Sequence, residues 1–278
     1  VNDYITISDC HIDLDDTDGL VGVSIDQTRE IKVLGTYIRN PRVAFSATPF
    51  GISVTAKAGL DTDLVVQGCT ILGFWDSVGN AGDGLTAAGT AANPFRRLVV
   101  DGNVFTKSRV NARMCVDASF TGNTFTSDGM SNALVTLDGG QRQVVADNTM
   151  DAGTTATHGL LVTSTEDAAT QTTATGNSIK GVTAHGVELN VTTNPIKDSV
   201  ISGNSIDGFL ATLTPPTAQG ILLGGGGNGV PDQIVISSNH VISCKDGILV
   251  RGFNATTRCV AVSVTDNTVS FCAHDQDN

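Results

Sequence analysis

Three groups of residues in this chain have types and spacings that could do chemistry. The first lies in the segment GFWDSVGNAGDG, which holds the single tryptophan, Trp75, with Asp76 and Asp83. Corresponding segments to either side bring Arg42, Phe45, Lys107 and Arg109. An exposed indole face beside carboxylates suits a sugar ring and its glycosidic oxygen. Glycoside hydrolysis needs two carboxyl groups about 5–5.5 Å apart for retention, or about 6.5–9.5 Å for inversion. Asp76 and Asp83 are the first choice for that pair, and Trp75 for the platform. The alternative is that Trp75 caps a core and the acids are solvated.

The second group centres on Glu188 in HGVELNV. Alternation from Gly186 turns Val187 and Leu189 inward and Glu188 and Asn190 outward. Arg251 falls in the Asn190 column two repeats on, past the glycine-rich stretch Gly224–Gly227. A carboxylate on a neutral face could act as acid or base, with Arg251 orienting a substrate; it could equally be a solvent-facing residue or part of a subunit contact. Leu161, Leu222 and Leu249 share its column, and a row of exposed leucines would favour an oligomer. The third group is His158 and His185, each followed by glycine, in a column that also holds Asp83, Gln219 and Asp246. These histidines read as polar turn residues bonding backbone or as substrate contacts.

What positions these side chains is a repeat. An asparagine returns at Asn103, Asn123, Asn148, Asn177, Asn204, Asn239 and Asn267, with Cys10, Thr36 and Cys69 at the equivalent place in three earlier copies. The ten positions are separated by steps of 20 to 35 residues. A period of that size marks a solenoid. The residues three before and two after the mark are apolar in all ten copies, and the one just before it is Gly, Asp or Ser. That pattern reads as strand, tight bend, strand, with asparagine tolerating the left-handed conformation of the bend and its amides forming a ladder from coil to coil. A further strand opens on a polar residue and glycine, as in DGLTA, HGLLV, HGVEL, QGILL and DGILV. No stretch has convincing helical periodicity.

On these repeats the whole chain resembles the right-handed parallel β-helix superfamily of pectin and pectate lyases, polygalacturonases and phage tailspikes. The expected fold is all-β: a single-stranded parallel β-helix of about ten coils, roughly 45–50 Å long. The resemblance implies a substrate groove on the outside of one sheet. Polygalacturonase motifs are not matched: Thr157-His158-Gly159 and Val250-Arg251-Gly252 are partial likenesses, and Asp15-Asp16 lies many coils from where an Asp-Asp pair belongs.

Composition narrows the partners. A net charge of −12 argues against nucleic acid and anionic membranes. It suits a neutral or mildly acidic glycan. Residues 1–278 are expected to form one β-helix domain, cut from a longer polypeptide because no terminal caps are recognisable. The six cysteines sit at repeat-locked places and read as small buried residues, with Cys244 and Cys272 near enough to bridge. No Cys/His cluster has zinc spacing, so no metal centre or cofactor is expected, apart from a Ca²⁺ reading of Asp13, Asp15, Asp16 and Asp18.

The leading expectation is a tailspike-like, homotrimeric domain at a virion tail or extracellular surface. It would bind and cut a bacterial surface polysaccharide without membrane insertion. The rivals are a non-catalytic shaft or adhesin, and a secreted lyase or epimerase using Arg109 or Arg251.

Overall fold

A computed structural model describes residues 4–14, 21–26, 28–41, 48–56, 59, 61–75, 82–127, 129–208, 218–225, 227–251 and 259–272. All strand pairing within its three sheets is parallel, and the sheets hold ten, ten and nine strands. Each coil contributes one strand to sheet A, one to sheet B and one to sheet C before the next coil begins, except the last, whose described residues hold only the first two. This is the expected parallel β-helix, with no helix among the described residues.

The two apolar columns of the repeat line the interior. In sheet A, Val33, Val66, Val100, Phe120, Val145, Ala174, Ile201 and Ile236 stack in register and are buried. In sheet B the buried column runs from Ile38 through Ile71, Phe105, Phe125, Met150, Ile179 and Ile206 to Val241. Phe105 and Phe125 stack with ring centroids 4.9 Å apart, one rung on the next. Like side chains meet because every coil repeats the same inward positions, so packing is between copies of one pattern.

The asparagines close the corner between sheets A and B as a continuous ladder. From Asn103 to Asn239, each amide Nδ2 donates to the Oδ1 of the next asparagine at 2.9 Å. The same Oδ1 accepts the backbone N–H of the preceding asparagine, as at Asn123 and Asn148. The second Nδ2 proton goes to a backbone carbonyl of the coil behind, Val100 for Asn123. Cys69 ends the ladder yet keeps the last bond, its thiol facing the Val33 carbonyl at 3.4 Å.

One detail differs from the sequence reading. The left-handed conformation falls on the residue before each asparagine: Asp147 at φ 55°, Gly176 at 66°, Ser238 at 56°. The Gly/Asp/Ser column is therefore the bend, and asparagine is present for its side chain.

Sheet C runs from Val21–Asp26 to Asp246–Val250. Its leading glycines let the coils close up: a Cβ on Gly186 would stand 2.4 Å from Ile206 Cγ2 and 2.6 Å from the Gly220 carbonyl. Cys69, Cys115 and Cys244 are buried as expected, Cys10 is exposed, and none of the six cysteines is in a disulfide.

Candidate functional site on sheet C

Sheet C gathers the residues singled out in the sequence, because its register aligns the polar-Gly starts and the outward positions coil by coil. His158 pairs with His185, which pairs with Gln219, which pairs with Asp246. Leu161, Glu188, Leu222 and Leu249 form the outward column beside them.

His158, His185 and Glu188 converge. His158 Nε2 lies 2.6 Å from Glu188 Oε2, and His185 Nε2 lies 3.8 Å from the same oxygen. The two rings meet edge to face with centroids 5.1 Å apart. His158 is oriented from behind, its Nδ1 resting 2.8 Å from the Thr157 hydroxyl. Glu188 is only 8% exposed although it points outward, because the imidazoles and Leu222 close around it. Its other oxygen, Oε1, has no hydrogen-bonding partner among the described residues. Burial pushes His185 down to about 4, against the pull of the Glu188 carboxylate and with help from His158 and Arg251. At neutral pH it is an uncharged imidazole with a lone pair to offer. Two buried polar atoms of this strip lack hydrogen-bond partners among the described residues: His185 Nδ1 and, one rung on, Gln219 Oε1.

The leucines do not form the exposed row that the sequence suggested. Leu222 is buried and Leu161 and Leu249 are partly buried within a single chain, so this strip makes no case for a second subunit. Asn190 extends the outward face two residues past Glu188, and Arg251 lies within electrostatic reach of His185.

The first group has a different character. Asp83 is 3% exposed and both its oxygens are engaged: Oδ1 by Arg109 Nε at 2.5 Å, Oδ2 by the Thr86 hydroxyl at 2.5 Å and by Asn111 Nδ2 at 3.4 Å. A carboxylate held on both sides by donors has no open oxygen for a leaving group. Trp75 is 4% exposed and belongs to the core cluster, so the expected open sugar platform is corrected. Its ring is covered by the Arg109 guanidinium, 6.0 Å from the centroid. Asp76 lies outside the described residues, as do Arg42, Phe45 and Asp15, Asp16 and Asp18 of the Ca²⁺ reading.

Sequence spacing missed the His–His–Glu cluster because its members are separated by one coil, 27 residues from His158 to His185. Only the pair His185 and Glu188 is local. The legible signal was the shared column, which the solenoid turns into contact.

A family model described as a right handed beta helix region matches residues 50–230. The chain belongs to the right-handed β-helix family. Among solved structures, this β-helix is similar to the Dettilon tailspike protein, with 12% identity and a TM-score of 0.47 over 95% of this chain and 61% of that one. It is also similar to a GH136 lacto-N-biosidase from Eubacterium ramulus, with 9% identity and a TM-score of 0.51 over 90% of this chain and 51% of that one. The β-helix thus spans about half to three-fifths of these two chains. A search of curated proteins returned no match. Among the described residues, no helix is long and apolar enough to cross a membrane.

Proposed function

We propose that this β-helix binds a polysaccharide along the outer face of sheet C and cleaves it, with Glu188 as the reactive carboxylate. The observation that carries this reading is the environment of Glu188. Among the described residues it is the one acid of an outward column, with Leu161 and Leu222 on the adjoining rungs, shielded from water, held through Oε2 by His158 and without a hydrogen bond at Oε1. Shielding strengthens each electrostatic contact a substrate makes, and a fixed imidazole gives the proton somewhere to go. The partly exposed Leu161 and Leu249 supply apolar contact for a sugar face, while Asn190 and Arg251 supply hydrogen bonds at its edge. A linear polymer suits the repeating, linear face of a solenoid. The lacto-N-biosidase similarity supports glycan work as a use for this fold, while the activity is argued from the site.

Asp83 and Trp75 serve a supporting role in this reading. They brace the coils next to the face, with Arg109 tying them together. The proposed setting is an extracellular or virion surface, where such polymers are met.

A second reading has its own observation. No other carboxylate is paired with Glu188 among the described residues, whereas hydrolysis ordinarily uses two. The rival is therefore a glycan-binding β-helix that does not cut.

A panel of bacterial surface polysaccharides, scored for binding and for released reducing ends, separates the two. The proposal expects binding to at least one polymer with reducing ends appearing over time. Binding with no cleavage would transfer the assignment to the adhesive reading. Absence of both across the panel would remove glycan engagement altogether.

A further inference from the structure

The sequence holds no zinc-spaced motif, yet folding brings together two imidazoles and a carboxylate, each offering one ligand atom, all within 4.8 Å of one another. Two histidines and one glutamate, leaving a further position open, is a donor set used by catalytic zinc sites. Three independent features of this cluster suit a cation. First, the ligand spacing is near what one ion demands. Tetrahedral zinc with bonds of about 2.0–2.1 Å holds its ligand atoms roughly 3.3 Å apart. The observed 2.6 Å and 3.8 Å contacts lie on either side of that distance, within side-chain adjustment.

Second, the outer contacts are partly in place. A metal-bound imidazole usually has its other nitrogen hydrogen-bonded, which fixes ring orientation. His158 already has Thr157 in that role. His185 Nδ1 and Gln219 Oε1 are buried polar atoms of this strip without hydrogen bonds among the described residues, on rungs that the register stacks directly. An ion on His185 Nε2 places the proton on Nδ1 and makes it a donor, the polarity that a neighbouring amide oxygen can accept. Third, the donors are positioned by strands, with Glu188 and both histidines on adjacent rungs of sheet C. Strand-borne ligands are held more firmly than loop-borne ones.

We propose that His158, His185 and Glu188 form a binding site for one first-row divalent transition-metal ion, Zn²⁺ foremost, with an open position for an oxygen ligand. Nitrogen and carboxylate donors select such an ion over Ca²⁺, which takes six to eight oxygens. The open position accepts water or a sugar hydroxyl, and with Glu188 and His158 engaged as ligands a Lewis acid there would take over the polarising role otherwise given to them. That use of the ion rests on the glycan reading above; the binding itself does not.

The test measures metal alone, with no glycan present. The full chain is stripped with chelator, dialysed, and titrated with Zn²⁺ by calorimetry and with Co²⁺ by absorption. The expected result is one equivalent bound, a visible cobalt band of nitrogen and oxygen ligation, and a melting temperature that rises with Zn²⁺. His158→Asn and His185→Asn should each weaken binding about 100-fold, and Glu188→Gln about 10-fold, with the far-ultraviolet circular dichroism of each variant unchanged. The six cysteine thiols are the competing ligands, and sulfur-to-cobalt charge transfer would expose them in the wild-type protein even if a variant failed to fold. Absence of stoichiometric binding, a thiolate spectrum, or equal affinity in folded variants would overturn the proposal.

Discussion

The asparagine column at the corner of sheets A and B and the polar column that opens sheet C are built on the same coil, yet they follow opposite rules. The first repeats one residue from Asn103 to Asn267 and bonds each amide to the next. The second changes residue almost every coil, with His158, His185, Gln219 and Asp246 on successive rungs, and leaves two buried atoms without a partner. A solenoid must repeat wherever a side chain's partner is its own copy. Where a side chain varies along the stack, bonding between neighbours is incomplete: Gln219 Nε2 donates to Asp246, while Gln219 Oε1 has no partner among the described residues. Regularity here marks structure, and departure from it marks the place to look for chemistry.

Breaking the regular column should have the largest effect. Asn148→Ala removes the acceptor of Asn123 N and Nδ2 and the donor to the Phe120 carbonyl. Each buried group left without a partner costs about 1–3 kcal/mol. The variant should lose about 4 kcal/mol in denaturant unfolding, with no loss of glycan binding per folded molecule. A loss below about 1 kcal/mol would mean that the ladder is not what closes this corner.

The braced acid on sheet C comes next. Arg109→Met leaves Asp83 buried without its cation, and removing one member of a buried pair costs about 3–5 kcal/mol. Thr86 and Asn111 still donate to Asp83, so about 3 kcal/mol is expected from the same unfolding measurement. An unchanged midpoint would return Asp83 to the candidates for chemistry.

A smaller effect should appear with pH. In chelator-treated protein, folded His185 titrates near pH 4 and the unfolded chain near the ordinary histidine value of about 6.5. Between those values the unfolded state binds the extra proton, so stability is complete above about pH 6.5 and falls as the pH drops toward 4. Melting temperatures across that window should flatten in His185→Asn. An equally steep profile in the variant would assign the acid sensitivity to other groups.

Glu188→Gln should be the mildest change in stability, within about 1 kcal/mol. The amide keeps the shape and an oxygen toward His158 while removing a charge that is costly to bury.

How much of this could be read in the sequence follows the same division. The sheet A and sheet B columns, the ladder and the glycine-led third strand were legible because each is written once per coil. The bend was misplaced by one residue, since both Asn and the Gly/Asp/Ser before it tolerate the left-handed conformation and only the backbone separates them. For Trp75 the sequence left an open platform and a core cap as alternatives, and spacing alone could not choose the core position that the structure gives it. Glu188 was correctly placed outward. Its enclosure by His158, His185 and Leu222 was hidden because those residues belong to three different coils. Contacts across coils decide the site, and they become visible only when the register is known.

The most direct test of the central claim is the rate of reducing-end release on the polysaccharide that binds best, comparing wild type with Glu188→Gln and with Glu166→Gln, an exposed acid paired to Arg113. The account predicts a loss of at least 100-fold for Glu188→Gln with binding retained, and wild-type rates for Glu166→Gln. Cleavage by Glu188→Gln at the wild-type rate would contradict it.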